Sequence, residues 1–274
     1  MAFDGSEGTN APFEIYIPYA QYRVYKKLIN APIYCEGAAK AHFSWHILSG
    51  GNAFDVFPAH IFKEKIAQFP AEEAGRMAKD FTRINFGWWA FYKDTQPDMF
   101  EYGTSRTAAW DCPITMMENI ELFKSHPRTD DIFEVLRRWE DLRQKNLITQ
   151  EMKEQLRNNA QEHILLINES QEYEMVPYDC IKNAANGNTD VSAFIFDRNC
   201  RSYVVCWHNT GSGYLSLPLS CKDVIYEAEI GGEKLAIEAG ENSVTIPLTG
   251  RHYLSSSLPK EVLKEAFINA ILLD

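Results

Sequence analysis

Near residue 160 the sequence changes texture, and that change limits the folds open to it more than any single motif. Before it, apolar runs of strand character alternate with helix-like stretches. Ala2-Phe3, Ile33–Cys35, Ile84–Phe91 and Cys112–Met116 read as strands, and Tyr19–Ile29, Ile61–Phe69, Glu72–Phe81 and Pro97–Asp111 as helices. Ile132, Val135, Leu136, Trp139 and Leu142 form the most regular apolar stripe, and a more polar helix follows from Thr149 to about Asn159. This alternation predicts about four parallel βα units. Beyond residue 160, short strands succeed one another from Ile164 to Leu254, separated by turns such as Asn186-Gly187-Asn188 and Gly240-Glu241-Asn242. Such spacing predicts an antiparallel sandwich, and Pro259–Leu272 reads as a closing helix. The expected fold class is therefore α/β followed by all-β: a partial (β/α) barrel over 1–160, then a β-sandwich with a final helix over 161–274.

Charge removes some classes of partner. Of the 274 residues, 27 are Lys or Arg and 38 are Asp or Glu, for a net charge of −11, which argues against a nucleic-acid backbone. No apolar run approaches a membrane span, and the first residues lack the basic-then-apolar pattern of a signal peptide. An aromatic content of 13% suits a neutral polar ligand such as a sugar. The six cysteines show neither a CxxC pair nor metal-ligand spacing with the histidines, and most sit in apolar runs where free thiols are the ordinary state. No cofactor or metal is called for.

The stretch Ile33–Asp55 carries the chemistry. Its opening strand ends in Glu36, Gly37 turns the chain, and Lys40, His42, Trp45 and His46 follow before the Ser49-Gly50-Gly51-Asn52 turn. In parallel α/β folds, functional groups gather at the carboxyl ends of the strands. That rule selects Asp4 and Glu7 after the first strand, Glu36 after the second, and Trp88 and Trp89 on the third. Neighbouring strands lie about 4.8 Å apart, so carboxylates at equal depth approach the separation of about 5–5.5 Å of a retaining glycosidase pair. Glu36 is the expected acid/base and Asp4 the nucleophile or a substrate ligand. The plainer readings are a turn-forming Asp4 and a solvated Glu7. His42 and His46 are four apart but lack the acid of an HExxH pattern, so they read as substrate or core groups and not as metal ligands. Trp45, Trp88 and Trp89 are candidate stacking platforms for a sugar, with at least one of them expected in the core.

The motifs Phe3-Asp4-Gly5-Ser6-Glu7-Gly8, Cys35-Glu36-Gly37-Ala38-Ala39-Lys40-Ala41-His42-Phe43-Ser44-Trp45-His46 and Thr104-Ser105-Arg106-Thr107-Ala108-Ala109-Trp110-Asp111-Cys112-Pro113 resemble the carboxyl-terminal half of glycoside-hydrolase-like TIM-barrel proteins, in which a sandwich follows the barrel. The resemblance implies carbohydrate as the ligand. It departs in one respect, since a closed barrel takes eight strands and about 250 residues. Half a barrel would be a fragment, would pair with itself or a partner chain, or would be a stable open sheet. The expected activity is glycoside hydrolysis, with a non-catalytic carbohydrate-binding or assembly module as the alternative and a structural remnant as a third reading.

Overall fold

The structure, a computed structural model, describes residues 2–3, 13–28, 36–37, 50–52, 58–68, 83–85, 88–112, 114–117 and 120–273. They form two compact units, residues 1–91 with 106–118 and residues 92–105 with 119–274. Residues 119–160 belong to the second unit together with the strands that follow them.

In the first unit, β1 (Ala2–Phe3), β2 (Glu36–Gly37), β3 (Gly50–Asn52) and β4 (Arg83–Asn85) pair in that order, all parallel. Helix α1 (Phe13–Lys27) connects β1 to β2. A 3-10 turn (Ala59–Ile61) runs into α2 over residues 62–68. β5 (Trp88–Ala90) pairs in parallel with β6 (Thr115–Met117). Among the described residues these strands make a four-stranded and a two-stranded sheet and no closed barrel. Three expectations change. Gly37, expected to turn the chain, lies in β2 and pairs with Phe3 in the parallel ladder. The expected turn at Gly50-Gly51-Asn52 is a strand, because parallel neighbours on both sides supply backbone partners that offset the poor strand propensity of glycine. The expected single strand Ile84–Phe91 is divided into β4 and β5, which belong to different sheets. Phe62, Ile66, Trp89 and Phe91 are buried in this unit, with Phe62 edge-on to Trp89 at 5.0 Å.

Helix α3 (Pro97–Ala109) starts on a proline, which suits a first turn whose N–H groups have no partner in the helix. It stops where Asp111 takes a left-handed φ of 53°. There Cys112 N–H bonds Thr107 O at 2.9 Å and Asp111 N–H bonds Ala108 O at 3.1 Å, the paired bonds of a Schellman cap.

The second unit contains α4 (Ile120–Ser125), α5 (Thr129–Gln144), α6 (Gln150–Leu156), β7 (Glu162–Ile167), β8 (Tyr173–Cys180), β9 (Val191–Arg198), β10 (Arg201–His208), β11 (Tyr214–Leu217), β12 (Val224–Glu227), β13 (Glu238–Ala239), β14 (Val244–Pro247), β15 (His252–Ser256), α7 (Lys260–Ile268) and β16 (Ile271–Leu273). One antiparallel sheet runs β12-β15-β10-β9-β8-β7 and the other β13-β14-β11-β16. Residues 259–272 are thus a helix followed by an edge strand: Asn269 ends α7, and β16 then pairs with β11, Leu272 facing Leu215. Val204, Cys206, Leu215, Leu217, Ile246 and Phe267 share the core between the sheets and α7. Val205 and Trp207 belong to a second cluster with Phe194, Phe196 and Tyr178. The central strand β10 is therefore covered on both faces, and its run Tyr-Val-Val-Cys-Trp is apolar throughout where a half-solvated strand would alternate. In α5, Ile132, Val135, Trp139 and Leu142 are the buried residues of the stripe, each aliphatic one contributing about 1.5–3 kcal/mol of burial. Asn146, at φ 55°, ends α5 with a second Schellman cap, Leu147 N–H to Leu142 O at 3.1 Å.

Candidate functional site

Backbone hydrogen bonding positions the candidate acid. β2 lies between β1 and β3, so Glu36 has Ala2 as its partner on one side and Gly50 on the other, and Gly37 pairs with Phe3. The strand that carries Glu36 is thus the parallel neighbour of the strand that leads directly into Asp4. Glu36 stands level with Ala2, two residues ahead of Asp4 in the chain. Gly50 has no side chain, so β3 places nothing beside Glu36 at that level, as strands do where a ligand or another backbone must come close. This signal was present in the sequence as Gly50-Gly51 but reads there as a turn.

Only the backbone of Glu36 and of Trp88 is described, and Asp4, Glu7, Lys40, His42, Trp45 and His46 lie outside the described residues. Trp88 and Trp89 sit on β5, opposite Thr115 and Met116. Trp89 is fully buried, so its ring offers no open face for stacking.

The second unit holds a cluster of buried charge that sequence patterns did not reveal. Glu101 on α3 is 1% exposed. One of its oxygens accepts from Trp139 Nε1 at 2.6 Å and from the Leu165 amide at 2.9 Å; the other accepts from Arg251 Nη2 at 2.6 Å. Burial raises its pKa above the ordinary carboxylate range, and Arg251, the Leu165 amide and the Trp139 indole oppose that rise. Arg251 also donates to the Tyr253 hydroxyl at 3.0 Å. Nearby, Arg138 donates to Glu134 at 2.8 Å and to Glu229. A cluster of perturbed groups is a reason to look for chemistry. Here both Glu101 oxygens are already occupied, and the arrangement ties α3 and α5 to the sandwich strands. His126 is similarly fixed: Nδ1 accepts from the Arg128 amide and Nε2 faces Lys93 O, both at 3.1 Å, while burial lowers its pKa.

Among the described residues, no group of three or more His, Cys, Asp or Glu side chains could hold a metal ion. No helix among them is long and apolar enough to cross a membrane. Among the described residues, Cys112, Cys180, Cys200, Cys206 and Cys221 form no disulfide with one another.

With this fold in hand, the chain can be set beside known proteins. No protein-family model matches it, and no curated protein matches it. Solved structures similar to it include α-amylases and an endoxylanase. An Anoxybacillus α-amylase is 10% identical, covering 90% of this chain and 56% of its own, with a TM-score of 0.25. An α-amylase from Geobacillus thermoleovorans complexed with acarbose is 8% identical, with 89% and 56% covered and a TM-score of 0.26. A GH30 endoxylanase from Clostridium papyrosolvens C71 is 10% identical, with 87% and 59% covered and a TM-score of 0.22. The chain thus spans less than two thirds of the length of the structures it is similar to.

Proposed function

We propose that the chain is part of a glycoside-hydrolase-like protein whose carbohydrate site is built around Glu36 and Asp4. The observation that supports this most directly is the parallel pairing of the strand bearing Glu36 with the strand running into Asp4. Glu36 acts as the acid/base and Asp4 as nucleophile or substrate ligand. Glu7, Lys40, His42, Trp45, His46 and Trp88 bind the sugar, and the buried Trp89 belongs to the core of its unit. The chemistry needs one carboxyl protonated and its partner ionised near neutral pH.

The test is hydrolysis of a panel of nitrophenyl α- and β-glycosides by the protein and its Glu36→Gln and Asp4→Asn variants. Loss of turnover by roughly a hundredfold or more in Glu36→Gln supports the assignment, because general acid–base catalysis contributes on that scale. Turnover equal to the parent removes Glu36 from the mechanism. A second reading, a carbohydrate-binding or assembly module without turnover, is supported by the two parallel sheets, with no closed barrel, found among the described residues. Calorimetric binding of an oligosaccharide with no hydrolysis by the parent protein distinguishes it.

A further inference from the structure

A cavity of about 340 Å³ opens in the second unit, away from any residue assigned above. Its rigid wall is the end of the β8–β9 ladder, where Cys180 pairs with Phe194 and Ile181 N–H bonds Ala193 O at 2.9 Å. Ile181, Val191 and Phe194 supply apolar surface, and Phe194 is held in place by stacking between Tyr178 at 4.9 Å and Trp207 at 5.5 Å. The facing side is a left-handed turn: Asn183, Ala185, Asn186 and Gly187 all have φ between 50° and 80°. Ala185 has no glycine-like freedom there, and such a conformation costs about 1–2 kcal/mol. The turn persists because Ala184 and Ala185 are buried in the core and Asn186 Nδ2 donates to Ala270 O at 3.0 Å. Strain held this firmly preorganises a site instead of leaving a loop to adapt.

The polar lining decides the ligand. Asp98 and Lys182 contribute one charge of each sign, and the remaining polar side chains, Asn183, Asn188, Thr189 and Ser192, are neutral. Ser192 is fixed by donating to Asn209 Oδ1 at 2.8 Å, and Asn209 Nδ2 donates to Thr189 O at 2.7 Å. A lining without net charge, mixing donors and acceptors over an apolar wall, matches a molecule with many hydroxyls and a carbon face. Its volume falls within the range of about 300–1,000 Å³ usual for small-molecule sites. We propose that this cavity binds a neutral polyhydroxylated ligand of mono- or disaccharide size, independently of the site around Glu36.

Cys180 lines the cavity and is exposed, whereas the exposed Cys200 is not part of the lining, so the protein carries a reporter and an internal control. The experiment is alkylation of the full chain by N-ethylmaleimide, resolved by peptide mass spectrometry, with cellobiose, maltose or xylobiose as the ligand and glycine and inorganic phosphate as charged probes. At a disaccharide concentration ten times Kd, the Cys180 rate should fall roughly tenfold while Cys200 is unchanged. Lys182→Ala, an exposed position, should raise the disaccharide concentration needed for protection roughly tenfold, as expected when a charge-assisted hydrogen bond is lost. Glu36→Gln should leave protection intact, so failure of the Glu36 site and failure of this one are read separately. The proposal is overturned if no disaccharide slows Cys180, if Cys180 and Cys200 slow together, if only glycine or phosphate protects, or if Lys182→Ala protects as the parent does.

Discussion

Replacing Arg251 with methionine isolates its buried pair with Glu101 in the second unit. The substitution keeps length and apolar contact but removes the cation 2.6 Å from Glu101, a carboxylate that is 1% exposed. Breaking a buried ion pair from one side costs about 3–5 kcal/mol, because the remaining charge stays desolvated. Arg138 still acts on Glu101 electrostatically, which places the expected loss near the lower end, about 3 kcal/mol. That is a fall of roughly a hundredfold in the folding equilibrium constant, set against a total stability of about 5–15 kcal/mol for a typical domain. The pH dependence has a fixed sign. Glu101's pKa is raised in the folded state, so the folded state holds its proton more tightly than the unfolded chain. Any such contribution is fully present below the ordinary value of 4.5 and is lost as pH rises through the folded value. Removing Arg251 raises that value further, so the deficit should be larger at neutral pH than near pH 4.5. Glu101→Gln combined with Arg251→Met should recover most of the loss, since the amide oxygen still accepts from Trp139 and Leu165. Urea unfolding of the parent, both single variants and the double variant measures the coupling. A cost below about 1 kcal/mol for Arg251→Met, or a double variant no more stable than Arg251→Met alone, would refute the reasoning.

Two other perturbations follow from neighbouring groups. Glu134's pKa is lowered to about 2, first by its hydrogen bonds to Arg137 and also by Arg138, with burial opposing; its contribution is present above pH 4.5 and lost as pH falls toward 2, so Glu134→Gln should flatten the acid limb of a stability–pH profile, and an unchanged limb would count against it. Burial pushes the Cys206 thiol up to about 12, so a colorimetric thiol reagent at neutral pH should modify Cys180 and Cys200 in the native protein and reach Cys206 only on unfolding, and reaction of Cys206 at the rate of Cys200 would contradict the packing.

What could be read from the residues alone was local periodicity. The stripe Ile132, Val135, Trp139 and Leu142 specified α5, because positions three and four apart share a helix face whatever surrounds them. The short strands between Ile164 and Leu254 were legible as apolar runs set between turn residues, whereas the expected strand Ile33–Cys35 and helix Glu72–Phe81 lie outside the described residues. Turns carrying glycine were visible, whereas the hairpin at Asn199-Cys200 was not, since both residues take a left-handed φ without a glycine to announce it. Gly50-Gly51-Asn52 misled in the opposite direction, its glycines marking a strand between two others.

For the site, the sequence by itself determined that acids follow apolar runs at Asp4 and Glu36, because strand-end chemistry is written in consecutive residues. Which strands are neighbours, and that Glu36 stands level with Ala2, only the tertiary structure decided, since register is a relation between residues far apart in the chain. The same holds for Glu101 and Arg251, 150 residues apart. A buried charge is stable only where a distant partner meets it, and no local pattern records that meeting.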